Sequence, residues 1–182
     1  MATIATPGLQ RRERLERIWK EPSGLVGWLT TTDHKRIGIL YFFTTVIFFA
    51  LGGLEAILMR TQLIGPDADV LAPDTYNQLM TMHGVTMVFL VVVPMSTGAF
   101  GNYLLPLMIG ARDMAFPRMN ALSYWIFLAS GIFIYSSMLV GTAPNAGWFD
   151  YVPLAEEQYI PGLNIDFYTL GLIFNGISTT AA

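Results

Sequence analysis

His83 is the residue with the clearest chemical potential. It falls inside the run Leu79 to Leu107, which contains no Asp, Glu, Lys or Arg. A run of that length crosses a bilayer as a helix. An ionisable side chain at such depth is costly and usually has a task. Imidazole there is a natural metal ligand, with haem iron a common choice. The alternative is a histidine hydrogen-bonded between two helices. If the helix enters the bilayer near Tyr76, a rise of about 1.5 Å per residue puts His83 roughly 10 Å deep. Leu79, Met80, Met87 and Leu90 share its helical face and suit a porphyrin plane. Gly84 allows a large ring to come close to the backbone. No other histidine lies in an apolar run, so a bis-histidine haem would draw its second ligand from elsewhere.

Other polar groups sit at the ends of the apolar runs. Arg60 either snorkels to lipid phosphates or donates to a polar substituent of a cofactor. Glu55 lies five residues below it, about 7.5 Å along a helix. An acid at that depth is neutral, paired or functional, and an ion pair with Arg60 is the simplest expectation. Asp113 stands between Arg112 and Arg118. Ordinary loop charge explains it, and so does a role in collecting protons. Asn102 and Asn120 lie near it in sequence, and amides can hold a file of ordered water. His34, in Thr32-Asp33-His34-Lys35-Arg36, reads as part of a basic membrane anchor. Trp28, Trp125, Trp148 and Tyr151 read as interfacial anchors.

The elements that must carry these residues are transmembrane helices. Of the 182 residues 53% are hydrophobic and 13% charged, against about 25% charged in soluble domains. Three complete spans are expected at Ile37–Met59, Tyr76–Pro106 and Ala121–Val140, with a fourth opening near Phe167 and running to Ala182. That last stretch is short for a span and no base follows it, so the chain is expected to continue in a longer parent. The fold class is thus an all-α polytopic transmembrane helix bundle, truncated after three full spans and the start of a fourth. The absence of cysteine excludes disulfides and thiolate metal sites. Residues 1–30 form an N-terminal tail with no short apolar h-region, so no signal peptide is expected. Within it, Arg11–Lys20 reads equally as an amphipathic surface helix or a solvated charged tail. Residues 31–182 form the membrane portion.

Charge orients the bundle. Seven of the ten Lys and Arg residues precede the first span, and Arg112 and Arg118 follow the second. The loops after the first and third spans are acidic. The positive-inside rule puts the N-terminus and the 110–120 loop in the cytoplasm.

Several strings together resemble subunit I of the haem–copper oxygen reductases, specifically the cytochrome c oxidases. They are TTDHKRIG (31–38), LMRTQL (58–63), YNQLMTMHG (76–84), GNYLLPLMIGARDMAFPRMNALSYW (101–125), and GW (147–148) before a Pro-Leu (153–154). The resemblance covers about residues 30 to 180. It implies that His83 is an axial ligand of the low-spin haem A and that Arg60 hydrogen-bonds the formyl group of that haem. It also implies that Asp113 opens a proton pathway with Asn102 and Asn120 just inside, and that Ser178 and Thr179 fall, more loosely, where hydroxyls stand higher in it. The parent would reduce O2 to water with electrons from cytochrome c and pump protons, in a bacterial inner membrane. Its partners would be the remaining helices of subunit I, subunits II and III, cytochrome c and membrane lipid, with no nucleic acid. The high-spin haem and CuB are expected in the parent but not ligated here, because the chain holds only two histidines. This segment alone is expected to have no oxidase activity.

Some positions depart from the family pattern. Gln62 replaces a Glu that often helps bind a structural Ca2+ or Na+. Arg112 replaces a common Pro and sets a fixed positive charge beside Asp113. Ala121 replaces a common Asn. In quinol oxidases an arginine and an acid on the first span, then a histidine and a glutamine, form the proposed quinol site. Here those positions read Leu51, Glu55, Thr75 and Gln78. That favours cytochrome c as donor, with quinol oxidase as the rival. A non-redox membrane scaffold or assembly protein is the rival of a different class.

Overall fold

The computed structural model describes residues 24–66 and 68–182. The helix considered for Arg11–Lys20 lies outside the described residues. The chain divides into two units at Thr31/Thr32. The described part of the first carries a short helix, α1 (Gly24–Leu29).

The second unit is helical, and among its described residues there is no strand. Its helices are α2 (His34–Gln62), α3 (Pro73–Val85), α4 (Asn102–Ile109), α5 (Pro117–Val140) and α6 (Asn164–Ala181). Two π-helical stretches, Thr86–Val92 and Met95–Gly101, join α3 to α4. The continuous rod from Pro73 to Ile109 is 37 residues long. This rod, α2 and α5 are long and apolar enough to cross a membrane. The expected spans are therefore present, each a few residues longer than its most apolar stretch.

Local chemistry sets the boundaries. Asp33 caps α2 by accepting from the backbone N–H of Lys35 at 3.0 Å. Pro73 and Pro117 open α3 and α5, where a missing N–H costs nothing. Gly110 (φ 69) and Gly141 (φ 78) end α4 and α5 in the left-handed conformation. Paired bonds follow: Ala111 N–H to Pro106 O at 2.8 Å, and Thr142 N–H to Ser137 O at 2.9 Å. The π-helical turns are the feature an apolar pattern does not announce. Pro94 lies between them and has no N–H to give the ladder. The Ser96 and Thr97 hydroxyls donate to Val92 O (2.8 Å) and Val93 O (3.0 Å), a bonding that loosens regular helix. Such widened turns favour functional sites.

The packed face of α2 recurs at helical spacing: Ile37, Tyr41, Thr44, Thr45, Phe48, Gly52 and Glu55 are buried. Tyr41 stacks on Phe127 of α5 with ring centroids 5.1 Å apart and meets Tyr124 edge-on at 5.3 Å. A second cluster joins Met82, Val85, Ile134, Ala143 and Tyr168. At the α5–α6 contact Gly171 has no room for a side chain, because a Cβ there would overlap Ile134. Ser130 Oγ donates to the Gly171 carbonyl at 2.8 Å across the same contact. Close approach at glycine plus a hydroxyl bond is the usual adhesive where lipid removes the hydrophobic drive.

Candidate functional site

Two histidines stitch α2 to the long rod, one near each end. His83 Nδ1 lies 2.8 Å from the carbonyl oxygen of Gly52. A carbonyl only accepts, so Nδ1 carries the proton and Nε2 keeps its lone pair. Metal-bound histidines are typically held this way, by a hydrogen bond on the other nitrogen. The residues therefore fit a haem iron at Nε2. His34 Nδ1 makes the matching bond to the Asn102 carbonyl at 2.8 Å, with the ring 1% exposed. The expectation of a surface basic anchor at His34 is corrected, since the ring is buried between helices. Eighteen residues of α2 separate His34 from Gly52, roughly 27 Å of helix.

The surroundings of His83 differ from the expected haem cradle. The ring that comes close at Gly84 is Trp148, whose Cβ and indole atoms would lie 2.8 to 3.0 Å from an added Cβ. Leu90 is wholly buried in the α2–α5 core and offers no free face, whereas Leu79, 4% exposed, lines the groove between α2 and α5. Met80 is 45% exposed, and Met87 packs against the α2 core. A groove of about 810 Å³ between α2 and α5 is lined by Phe48, Leu51, Glu55, Tyr135 and Leu139 but not by His83.

Arg60 is exposed near the end of α2. Glu55 is 5% exposed, and its carboxylate meets the Tyr135 hydroxyl at the edge of hydrogen-bonding geometry. The expected Glu55–Arg60 pair does not form. Five residues at about 100° each set the two about 140° apart around the helix. Glu55 turns instead toward Tyr135, whose hydroxyl shares a 2.8 Å bond with Thr86 Oγ1.

At the His34 end lie the acid and the two amides. Asp113 is half-buried, and its Oδ1 accepts from the Met114 N–H at 2.8 Å. Asn102 is 2% exposed and its Nδ2 donates to the Gly98 carbonyl at 2.8 Å. Asn120 is 1% exposed, and both polar atoms of its amide are buried without a partner. A buried, unsatisfied amide is a place for ordered water. Above it runs a file of which only Ser178 was expected from the sequence. Ser123 Oγ donates to Asn120 O (2.7 Å), and the Tyr41 hydroxyl lies 3.0 Å from Ser123 Oγ and 3.2 Å from Ser178 Oγ. Ser178 Oγ also donates to Ser123 O at 2.8 Å. Ser178 thus belongs to this file. Thr179 faces outward and bonds back to Asn175 O at 3.0 Å. Tyr41 and Ser123 are 82 residues apart, and only packing unites them.

The description Cytochrome C and Quinol oxidase polypeptide I matches residues 36–182. The chain belongs to this family. Its membership fits the spans described above and makes it a multi-pass membrane protein. Cytochrome c oxidase subunit 1 of Alkalihalophilus pseudofirmus is 48% identical over 86% of the chain and 25% of its own length. The subunit of the same name from Bacillus sp. (strain PS3) is 48% identical over 88% of the chain and 26% of its own. Heme-copper oxidase subunit I+III of Aeropyrum pernix is 44% identical over 84% of the chain and 19% of its own. The chain spans about a quarter, or less, of the length of these relatives.

Proposed function

We propose that the chain is the N-terminal segment of the catalytic subunit of a terminal oxidase that reduces O2 to water with electrons from cytochrome c and pumps protons. The observation that carries this is the Nδ1–H bond of His83 to Gly52, which leaves Nε2 as the ring nitrogen that could take iron. Haem A, when bound, supplies a one-electron carrier between donor and oxygen-reducing centre. The chain's own residues hold and orient. Gly52 fixes the imidazole tautomer and ring plane. Arg60 offers guanidinium donors to a polar haem substituent. At the far end, Asp113 takes up protons from the cytoplasm. Asn102 and Asn120 order water next to it, and Ser123, Tyr41 and Ser178 continue the hydrogen-bonded file inward.

This reading sets the N-terminus and the 110–120 loop in the cytoplasm, in a bacterial inner membrane. Residues 1–30 are the tail and 31–182 the membrane portion. The ligands of the high-spin haem and CuB come from the rest of subunit I, and subunits II and III complete the assembly. Cytochrome c is favoured over quinol because Leu51 and Thr75 stand where the arginine and histidine best able to orient a quinone oxygen would be. The Gln78 amide is engaged with Asp74 at 3.1 Å. Oxygen uptake by the purified parent complex, supplied with reduced cytochrome c or with ubiquinol, tests the reading. Turnover with cytochrome c is expected. Turnover with ubiquinol alone contradicts the donor, and turnover by residues 1–182 with added haem contradicts the dependence on the rest of the subunit.

A further inference from the structure

Gln62 is the last residue of α2, and its side chain folds over the connection that follows. Oε1 accepts from two backbone N–H groups, Val70 at 3.0 Å and Leu71 at 2.7 Å. Nε2 donates to the carbonyl of Ala68 at 2.5 Å. One carboxamide therefore binds three main-chain groups of a segment with no helix among its described residues. Other backbone bonds of the segment's described residues are short-range: Leu63 N–H to Arg60 O, Ile64 N–H to Thr61 O and Ala68 N–H to Gly65 O.

The chemistry of this latch requires an amide. A carboxylate has the same shape but no donor. In Glu at this position, one oxygen would keep the Val70 and Leu71 bonds. The other would set its lone pairs against those of the Ala68 carbonyl. A cation between the two oxygens reconciles them fully, and a bridging water does so more weakly. In Gln62 the amide hydrogens supply that positive charge. Among the described residues, no group of three or more His, Cys, Asp or Glu side chains is arranged to hold a metal.

We infer that Gln62 holds the 63–72 connection without a metal ion, its amide replacing the Ca2+ or Na+ that the subunit I resemblance implies at this corner. Gln62 is a positioning residue. Arg60 lies two residues before it, and Pro73, which opens the helix bearing His83, lies just beyond the latched segment. The latch fixes both helix ends relative to each other by neutral hydrogen bonds, so the connection is insensitive to chelators.

The test is hydrogen–deuterium exchange in peptides covering residues 63–72 of the purified parent complex, in EDTA and in CaCl2. Wild type is expected to exchange equally slowly in both. Gln62→Ala frees the Val70 and Leu71 amides, and exchange speeds up roughly tenfold. Gln62→Glu is expected to exchange faster than wild type in EDTA, because repulsion from the Ala68 carbonyl weakens the hold on Val70 and Leu71, and to recover protection in CaCl2. Faster exchange of wild type in EDTA overturns the inference, as does an unchanged Gln62→Ala. A glutamate variant protected in EDTA, or deaf to CaCl2, overturns the substitution of amide for cation. The readout involves no haem, so it stands apart from the oxidase reading.

Discussion

The ring of His83 and the carbonyl of Gly52 are joined at 2.8 Å between two helices whose partners lie 31 residues apart in sequence. At Gly52 α2 packs tightly against the rod, because a Cβ there would sit 3.0 Å from Met87 Sδ and 3.3 Å from Thr86 Cγ2. Methionine can yield to one methyl group, whereas β-branched Thr86 cannot easily make room for more.

Gly52→Ala is therefore expected to be tolerated, and Gly52→Val to push α2 away from His83. Overpacking of this kind costs about 1–3 kcal/mol. Haem content per full-length subunit, read from the reduced pyridine haemochrome, should fall for valine and hold for alanine. Equal content in both would mean that the Gly52 bond does not orient the ligand.

Tyr41→Phe keeps the ring packing against Phe127 but removes the hydroxyl shared by Ser123 and Ser178. A neutral hydrogen bond is worth about 0.5–1.5 kcal/mol, with an average near 0.6 for bonds between membrane helices. A comparable loss in unfolding free energy is expected, together with slower proton uptake in the parent. A double-mutant cycle with Ser123→Ala should show coupling, and strict additivity would break the proposed file at this point.

Asp150 lies in the 141–163 connection at φ 50, with Oδ1 buried and unpartnered. Burial raises its carboxyl above the usual carboxylate range. The folded loop thus holds the proton more tightly than the unfolded chain. Its stability is full below the ordinary carboxylate value and declines as pH rises through the raised one. Asp150→Asn should flatten that decline without changing behaviour in acid. Exchange rates of the loop amides from pH 4 to pH 8 report it. A slope that survives in Asp150→Asn belongs to another group.

The spans and their order were legible in the sequence because long apolar runs leave one solution in a bilayer. His83 stands out in the sequence because it breaks such a run, and its role as a ligand is the proposal. Glu55 was misread because linear proximity to Arg60 ignored the turn of the helix between them. Gly84 was misread because the ring that fills its open side, Trp148, comes from a loop 64 residues on. Tyr41 and Ser123 carry no local pattern, since hydroxyls at helical spacing also serve as ordinary core residues. The widened turns around Pro94 likewise depend on how the freed carbonyls find Ser96 and Thr97.

Asp113→Asn in the parent enzyme keeps shape and removes the ionisable proton carrier. Positioned acids and bases typically contribute at least about a hundredfold in proton transfer. Proton uptake from the cytoplasmic side should slow sharply, and pumping should be lost before oxygen reduction. A normal proton-to-electron ratio in this variant rejects the role assigned to Asp113.

The central claim is that Nε2 of His83 binds haem iron. Visible difference spectra of membranes carrying the full-length subunit with His83→Ala address it most directly, with immunodetection confirming that the subunit is present. The low-spin haem band is expected to disappear. A band of unchanged position and intensity would contradict the assignment.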